Sequence, residues 1–306
     1  MNKVAVIVGS GGQDGTLLTY KLESLNYDVI GIRKGDIDLL NIKEVGELIH
    51  SVQPDEIYYL AAYHHSSEDL VNNEVELFKR SIDVHAISVI NFLDAIDKYK
   101  KNCRIFYASS CLIFKGSDYK LLTENSQYSL ENYYAISKIS GGSLIKYYRE
   151  NKKIFACSGF LFNHESWLRT ENYLSKKITS FVARVNKSSN EKLILGNLDM
   201  KVDWGYAPDY VDAFWKILQT SSPDDYIVAT GIKSSIEDFV KIAFEHVNLD
   251  YRDFVIVDPN VLSRKNNTRI GSAEKLMKNT GWKPSIDFNE MVKNLVDIEI
   301  ENFNSS

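Results

Sequence analysis

Residues 4–15 read Val-Ala-Val-Ile-Val-Gly-Ser-Gly-Gly-Gln-Asp-Gly, and this stretch decides the fold. It joins an apolar, β-rich run to a glycine-rich turn that opens a helix. Gly9, Gly12 and Gly15 give the spacing G-x-x-G-x-x-G. After a strand, such a turn lets the backbone approach a pyrophosphate closely and points a helix N-terminus at its charge. The stretch therefore predicts a dinucleotide-binding unit.

Short β-rich runs and helical patterns alternate through the first half of the chain. Buried parallel strands are predicted at residues 4–8, 28–32, 56–60 and 104–108, and helices at 17–25, 42–49 and 86–99. This alternation predicts an α/β fold, a Rossmann-type doubly wound parallel sheet. After residue 162 the pattern becomes irregular. We therefore expect a dinucleotide-binding Rossmann domain at 1–165 and a small α/β substrate lobe at 166–306, interleaved with the last strands.

The composition restricts the class of protein. The 306 residues are 44% hydrophobic and 25% charged, with a net charge of −5. No apolar run is long enough to span a bilayer, and no charged-then-apolar leader precedes Val4. Cys103, Cys111 and Cys157 fit neither a metal site nor a disulfide framework. We expect a cytoplasmic protein with no metal, no membrane partner and no nucleic-acid partner.

The end of the second predicted strand indicates the cofactor. The residues there are Gly31-Ile32-Arg33-Lys34. An NAD site usually places an Asp or Glu at this point for the ribose 2′-hydroxyl, whereas a nearby arginine suits a 2′-phosphate. Arg33 and Lys34 therefore favour NADP, and NAD remains the alternative.

A possible catalytic pair lies at Tyr134-Ala135-Ile136-Ser137-Lys138. A tyrosine and a lysine four residues apart share one face of a helix. The lysine ammonium would stabilise a phenolate and could also bind the cofactor ribose. Tyr134 could then exchange a proton with a hydroxyl group during hydride transfer. Tyr134 and Lys138 are thus predicted to be both catalytic and cofactor-binding.

Two polar stretches carry a resemblance to a known family. One is Leu161-Phe162-Asn163-His164-Glu165-Ser166, and the other is Leu195-Gly196-Asn197-Leu198-Asp199, followed by Asp203-Trp204-Gly205. Together with Gln13-Asp14-Gly15, they resemble the GDP-mannose 4,6-dehydratases. These enzymes are a branch of the extended short-chain dehydrogenase/reductase family. The resemblance implies an enzyme of nucleotide-sugar metabolism and polysaccharide biosynthesis.

The resemblance also implies roles for individual residues. Asp38 is similar to the acid that contacts the adenine, with Asp36 as the alternative. Ser110 is similar to the hydroxyl residue that orients the substrate oxygen, with Ser109 as the alternative. The remaining cofactor residues that it implies are Gln13, Asp14, Leu60, Ala61 and Ala62, and the substrate residues are Asn163, Lys177, Leu195, Gly196 and Asn197. The family's C-terminal Arg-Pro-x-Glu-Val element is replaced in this chain by residues 262–267. We expect Arg264 to keep the phosphate contact there, because guanidinium geometry suits a phosphate. The substrate would be a GDP-linked sugar.

Two departures from the family alter the expected function. The dehydratases carry Thr-x-Glu where this chain has Ser110-Cys111-Leu112, and that Glu handles the protons of water elimination. We therefore expect hydride transfer at C4 of a GDP-hexose or GDP-heptose, with a 4,6-dehydratase or a catalytically silent partner-binding homologue as alternatives. The loop after Lys34 is also short. It resembles that of the GDP-fucose synthases, which favours a homodimer over the dehydratase tetramer.

Overall fold

The computed structural model describes residues 2–63, 73–117, 119–185, 189–261 and 268–305. Its strands are β1 (Val4–Val8), β2 (Asp28–Ile32), β3 (Glu56–Tyr59), β4 (Arg104–Ser110), β5 (Phe155–Leu161), β6 (Asn163–Glu165), β7 (Leu193–Leu195), β8 (Lys201–Val202), β9 (Trp204–Tyr206), β10 (Tyr226–Val228), β11 (Ser234–Ser235) and β12 (Val255–Val257). Its α-helices are α1 (Gln13–Ser24), α2 (Ile42–Val52), α3 (Glu74–Ile82), α4 (Ser88–Tyr99), α5 (Tyr133–Tyr147), α6 (Leu174–Arg184), α7 (Ala207–Leu218), α8 (Ile236–His246), α9 (Glu274–Thr280) and α10 (Phe288–Asn304).

The main sheet has six strands in the order β10-β5-β4-β3-β1-β2. All of its neighbouring strands pair in parallel. The chain leaves β1 towards β2 on one side and then continues with β3 on the other side. In such sheets the ligand crevice opens at this reversal, beyond the carboxyl ends of the strands. The predicted Rossmann-type doubly wound fold is confirmed.

Each face of the sheet is covered by helices. Ala5 and Ile7 of β1 pack against α1 and α7, whereas Val6 and Val8 pack against α2 and α4 on the opposite face. Successive side chains of a strand point to opposite faces, so a strand covered on both sides must be apolar throughout. Truncating Ile7 to alanine in this core would cost about 2–5 kcal/mol.

The predicted elements agree with the observed ones in kind and differ at some ends. The strand predicted at 104–108 continues to Ser110, because its last two residues are serines that no apolar pattern marks. The helix predicted at 17–25 begins at Gln13, directly after the glycine turn. The helix predicted at 86–99 is preceded by a π-helical turn, Asp83–Ile87, and α4 itself begins at Ser88. Apolar spacing does not distinguish these helix types.

A second apolar core lies in the C-terminal half. It is formed mainly by α6, α8 and α10, with Trp204 of β9 packed among them. The segment between α6 and α8 belongs to the main sheet. Helix α7 covers one face of that sheet, and β10 is its sixth strand. The two halves are therefore interleaved. The boundary at residue 165 stays a prediction.

Asp203 ties this second core to the end of the main sheet. Its carboxylate accepts hydrogen bonds from the backbone N–H groups of Thr230, Gly231 and Gly271, at 2.9, 3.0 and 3.1 Å. Burial raises the pKa of Asp203, and the hydrogen bonds, led by that of the Thr230 side chain, offset this only in part. The first residue of the Asp-Trp-Gly motif is thus anchored to the loop after β10.

Candidate active site

The glycine turn takes a conformation that requires glycine at two positions. Gly9 has a φ of +92°, and a Cβ there would lie 2.8 Å from the backbone nitrogen of Ala61. A Cβ on Gly15 would lie 2.4 Å from the carbonyl oxygen of Gly9. Gly12 is the N-cap of α1. The first-turn N–H groups of a helix lack partners within it, so this turn is suited to an anionic group.

The turn forms one wall of a cavity of about 820 Å³. The predicted cofactor residues outside α5 line this single cavity: Gly9, Gly12, Gln13, Asp14, Gly15, Arg33, Lys34, Asp38, Leu60, Ala61 and Ala62. A backbone cradle that Cβ atoms would fill, next to two basic side chains, fits a dinucleotide phosphate. The structure therefore brings together residues that lie far apart in the sequence.

The basic end of this cavity follows β2. Arg33 and Lys34 are exposed there. Asp36 closes the turn, because its carboxylate accepts the backbone N–H of Arg33 at 2.7 Å. Asp38 lines the cavity, and one of its oxygens accepts the N–H of Leu40 at 3.0 Å. Of the two acids considered for the adenine, Asp38 thus has the better position.

Tyr134 and Lys138 lie on one face of α5, which begins where the Asn132 side chain accepts the N–H of Ala135 at 2.8 Å. The Lys138 side chain is 2% exposed, and its Nζ donates to the carbonyl oxygen of Ala108 at 2.7 Å. Nζ also lies 5.9 Å from the centroid of the Tyr134 ring. Burial lowers the pKa of Lys138 to about 7. A lysine with this pKa can exchange a proton near neutral pH.

His85, on the π-helical turn before α4, supports this helix face. Its Nε2 accepts the backbone N–H of Tyr63 at 3.0 Å, and its Nδ1 lies 2.8 Å from Oγ of Ser137. Oγ of Ser137 in turn donates to the carbonyl oxygen of Tyr134 at 2.9 Å. The His85 ring also meets the Tyr134 ring edge-on, with centroids 5.2 Å apart. This contact network connects the cavity wall to the turn that carries Tyr134.

The end of β4 carries the two candidate serines. Ser110 is partly exposed, and its Oγ accepts the backbone N–H of Leu112 at 3.2 Å. Ser109 is 4% exposed, and within the described ranges its Oγ has no hydrogen-bond partner. Leu112 lies on a short 3-10 turn and packs against an apolar cluster that includes Phe160 and Phe162. No proton-carrying side chain therefore stands at the position of Leu112.

The predicted substrate residues lie in the second half of the chain. None of those that the structure describes lines this cavity. Asn163 is exposed on β6, and Lys177 lies on α6. Leu195 ends β7, where its carbonyl oxygen accepts the N–H of Asp258 at 2.8 Å. Gly196 and Asn197 follow it. Arg264 lies outside the described residues.

Two residues of the second half do reach the cavity, and neither was among the predicted site residues. Arg169 and Tyr173 lie between β6 and α6 and line the same cavity as the glycine turn. The guanidinium carbon of Arg169 lies 4.3 Å from the centroid of the Tyr173 ring. The sequence feature that could have identified Arg169 is its position shortly after the Asn163-His164-Glu165 motif.

Neither a membrane-spanning helix nor a metal site is found among the described residues. No helix there combines the length and the apolar character needed to cross a membrane. No group of three or more His, Cys, Asp or Glu side chains there is arranged to hold a metal ion.

Known proteins resemble the chain over nearly its whole length. The family model described as GDP-mannose 4,6 dehydratase matches residues 33–295. GDP-mannose 4,6 dehydratase 2 of Arabidopsis thaliana is 33% identical, over 98% of this chain and 87% of that protein. The match takes in both the sheet and the second apolar core.

Solved structures agree in fold. RMD from Pseudomonas aeruginosa, solved in complex with NADPH, superposes with a TM-score of 0.84 at 19% identity and covers 98% of this chain and 100% of its own. The dTDP-glucose 4,6-dehydratase from Bacillus anthracis, in complex with NAD, has a TM-score of 0.82 at 14% identity, over 99% and 98% of the two chains. With the sequence match, they confirm the predicted enzyme class, the short-chain dehydrogenases/reductases. The chain belongs to the GDP-mannose 4,6-dehydratase family.

Proposed function

We propose that the chain is an NADP(H)-dependent oxidoreductase that transfers a hydride at C4 of a GDP-linked hexose or heptose. It would act as a 4-keto reductase or as a C4 dehydrogenase. One observation carries the proposal. The Tyr134 and Lys138 pair is held on α5, while Leu112 stands where the family has a carboxylate. The chain thus keeps the groups for hydride transfer and lacks the group for elimination.

The cavity supports NADP(H) as the cofactor. Gly9, Gly12 and Gly15 would hold the pyrophosphate, and Arg33 with Lys34 would hold the 2′-phosphate. RMD was solved with NADPH, whereas the dTDP-glucose dehydratase was solved with NAD. The basic end of β2 favours the phosphorylated form for this chain. When bound, the nicotinamide would supply or accept the hydride.

The protein's own part of the reaction is proton transfer and orientation. In reduction, Tyr134 would donate its phenolic proton to the sugar O4, and in oxidation it would take that proton back. Lys138 would stabilise the phenolate by its charge while it is protonated. Ser110 accepts a hydrogen bond from Leu112 and keeps its own O–H, which could hold the C4 oxygen in place.

GDP is the nucleotide that the family suggests. The curated relatives are named for GDP-mannose, and Asn163, Lys177 and residues 195–197 match the family in sequence. Calorimetric titrations with GDP, UDP and dTDP test this choice. We expect GDP to bind most tightly. Tighter binding of either pyrimidine nucleotide would show that the base site differs from that of the family.

A 4,6-dehydratase is the second candidate, because the matching family is named for that reaction. The two reactions differ in redox balance. Dehydration removes water and leaves the cofactor unchanged overall, whereas reduction or oxidation at C4 converts NADPH to NADP⁺ or the reverse. Net turnover of the cofactor therefore separates them.

Isotope transfer tests the proposal directly. NADPH carrying deuterium at the nicotinamide C4 would be mixed with the enzyme and a GDP-4-keto sugar. We expect oxidation of the cofactor and deuterium at C4 of the sugar, detected by NMR. Tyr133→Phe, one residue before Tyr134, should behave as wild type, because its ring packs on Phe78. If neither the 4R-labelled nor the 4S-labelled cofactor transferred deuterium to the sugar, the proposal would be contradicted.

We also propose a cytoplasmic location and a homodimer. Cys103 and Cys157 are buried thiols, as a protein of a reducing compartment can retain. The connection from Ile32 to α2 is short, which supports a dimer by resemblance to the GDP-fucose synthases. Sedimentation at several protein concentrations would test the dimer, and a stable tetramer would contradict it.

A further inference from the structure

The π-helical turn before α4 is fixed by two buried tyrosines of the main sheet. The carbonyl oxygen of Val84 accepts the Tyr59 hydroxyl at 2.7 Å, and the carbonyl oxygen of His85 accepts the Tyr107 hydroxyl at 3.0 Å. Tyr59 ends β3 and Tyr107 lies in β4, and both are fully buried. Turns of this kind are rare and often lie at functional sites. Here the sheet sets the position of the turn through hydrogen bonds to its backbone.

Helix α5 packs directly against this turn. A Cβ on Gly141 would lie 2.0 Å from the carbonyl oxygen of His85, so only glycine allows the two backbones to come this close. On α5, Gly141 lies three residues after Lys138 and seven after Tyr134. Residues at these intervals share one face of a helix. The helix face that carries Tyr134 and Lys138 is therefore the face that meets His85.

The hydrogen bonds of the His85 ring determine which of its nitrogens carries the proton. The residue is fully buried. Its Nε2 lies 3.0 Å from the backbone nitrogen of Tyr63, and a backbone N–H can only donate, so Nε2 accepts and carries no proton. A ring with a bare Nε2 has its proton on Nδ1, which lies 2.8 Å from Oγ of Ser137. The ring is thus neutral, and it donates to Ser137.

The same ring joins the wall of the cavity to Tyr134. Tyr63 lines the cavity on one side of the ring. On the other side, Oγ of Ser137 accepts from His85 and donates its own proton to the carbonyl oxygen of Tyr134 at 2.9 Å. The His85 ring also meets the Tyr134 ring edge-on. His85 is not among the described residues that line the cavity. It is therefore placed to orient Tyr134 and not to contact a bound cofactor.

We propose that His85 is a positioning residue for hydride transfer, which as its neutral Nδ1–H tautomer holds Tyr134 in place relative to the cofactor cavity. This inference rests on the proposed function. A general acid works only within hydrogen-bond reach of the atom that it serves, and a misplacement of about 1 Å can cost roughly 100-fold in rate. His85 would prevent such a misplacement, because it connects Tyr63 with the first turn of α5.

The first test separates the rate of the reaction from the binding of its substrates. His85→Phe keeps an aromatic ring beside Tyr134 and loses both hydrogen bonds of the imidazole. We expect kcat for the reduction of a GDP-4-keto sugar by NADPH to fall roughly 10- to 100-fold. The KM values and the calorimetric affinity for NADP⁺ should stay within about threefold of wild type, because His85 contacts neither ligand.

A second variant is less disruptive to folding. Ser137→Ala removes the acceptor of the Nδ1 proton and places a strong helix former in α5. We expect kcat to fall roughly 3- to 10-fold, which corresponds to one lost hydrogen bond, with unchanged KM values. If His85→Phe does not fold, this variant decides the test, and a wild-type kcat in Ser137→Ala would then overturn the inference.

Two control variants account for general effects of substitution. Ile96→Val removes a buried methyl group from α4 and should lower the melting temperature without lowering kcat. His50→Phe changes a histidine whose ring lies 5.2 Å from that of Tyr99, the same separation as between His85 and Tyr134, but on the remote helix α2. It should leave kcat unchanged. A loss of kcat in either control as large as that in His85→Phe would overturn the inference.

The tautomer can be measured without any turnover. Long-range ¹H–¹⁵N NMR spectra of the imidazole rings show which nitrogen carries the proton, and the signals of His85 are identified by their loss in His85→Phe. We expect a proton on Nδ1 and none on Nε2 at neutral pH. A proton on Nε2, or a wild-type kcat in folded His85→Phe, would overturn the inference and leave the proposed function standing. If wild type transferred no hydride, the proposed function would be overturned, and this inference with it.

Discussion

The hydroxyl oxygen of Ser110 accepts a hydrogen bond from the backbone N–H of Leu112 across 3.2 Å. This bond fixes the turn at the end of β4, where the family places an acid that this chain lacks. Leu112 packs into an apolar cluster instead. The hydroxyl of Ser110 can still donate its proton, because only its oxygen is engaged. In the proposed reaction, this turn would orient a substrate oxygen without supplying the carboxylate that elimination needs.

Arg33 should determine the preference for NADP⁺. We expect Arg33→Ala to weaken NADP⁺ by about 1.5–3 kcal/mol, the loss of one charge-assisted contact, and to leave NAD⁺ binding unchanged. Titration of both cofactors against both proteins measures this. Arg252→Ala is a suitable control, since Arg252 is an exposed arginine paired with Asp250. Tighter binding of NAD⁺ than of NADP⁺ to wild type would refute the role given to Arg33.

Tyr134 should be essential for hydride transfer and dispensable for cofactor binding. In Tyr134→Phe the ring still meets His85 edge-on, but no hydroxyl remains to move the proton. We expect the rate to fall roughly 10²- to 10⁴-fold, the usual contribution of a general acid or base. The melting temperature and the NADP⁺ affinity should stay near wild type. Wild-type turnover in this variant would remove Tyr134 from the mechanism and strengthen the reading of a silent homologue.

Lys138 should make stability depend on pH. Burial lowers its pKa to about 7 in the folded protein, against 10.5 for an ordinary lysine. Between these values the unfolded chain binds more protons, so the contribution of Lys138 to the free energy of unfolding rises with pH. Below pH 7 the folded protein carries the full cost of a buried charge.

The measurement is the difference in unfolding free energy between wild type and Lys138→Met as the pH rises. We expect wild type to gain stability relative to the variant from pH 7 up to 10.5. Lys146→Met removes an exposed lysine from the same helix and is the control for the loss of a lysine side chain. A difference that does not change with pH for Lys138→Met would contradict the lowered pKa.

The sequence predicted the central sheet well for a physical reason. Strand β1 is buried on both faces, so it appears as a short uninterrupted apolar run. The glycine spacing and the Tyr134–Lys138 interval are likewise local signals, each contained in one turn or one helix. The ends of β4 and α4 were harder to predict, because serines and a π-helical turn carry no apolar period.

The rest of the site depends on contacts between distant segments. His85 meets Tyr63 and Ser137, which are 22 and 52 residues away along the chain. Arg169 reaches the cavity because the loop after β6 is held beside α1, where the Ser166 hydroxyl donates to Oε1 of Gln13 at 2.8 Å. No spacing rule links these residues. Their contacts could be identified only from the three-dimensional structure.

Replacing Leu112 with glutamate tests which group is missing. We expect Leu112→Glu to gain at most weak dehydratase activity, because the new carboxylate would enter an apolar environment that favours its neutral form. Detection of water loss from GDP-mannose by mass spectrometry would report any gain. Leu121→Glu, at an exposed leucine, is the control and should gain none. Equal gain in both variants would show that position 112 has no special role.

The most direct test of the central claim is the product formed from GDP-mannose. Wild-type enzyme and NADP⁺ would be incubated with GDP-mannose, and the nucleotide sugars would be analysed by mass spectrometry and NMR. Elimination needs two assisted proton transfers, and each loses roughly 10²- to 10⁴-fold without its acid or base. The account therefore predicts no detectable 4-keto-6-deoxy sugar. Formation of that sugar at an ordinary enzymatic rate, with no net change in the cofactor, would contradict it and identify the protein as a dehydratase.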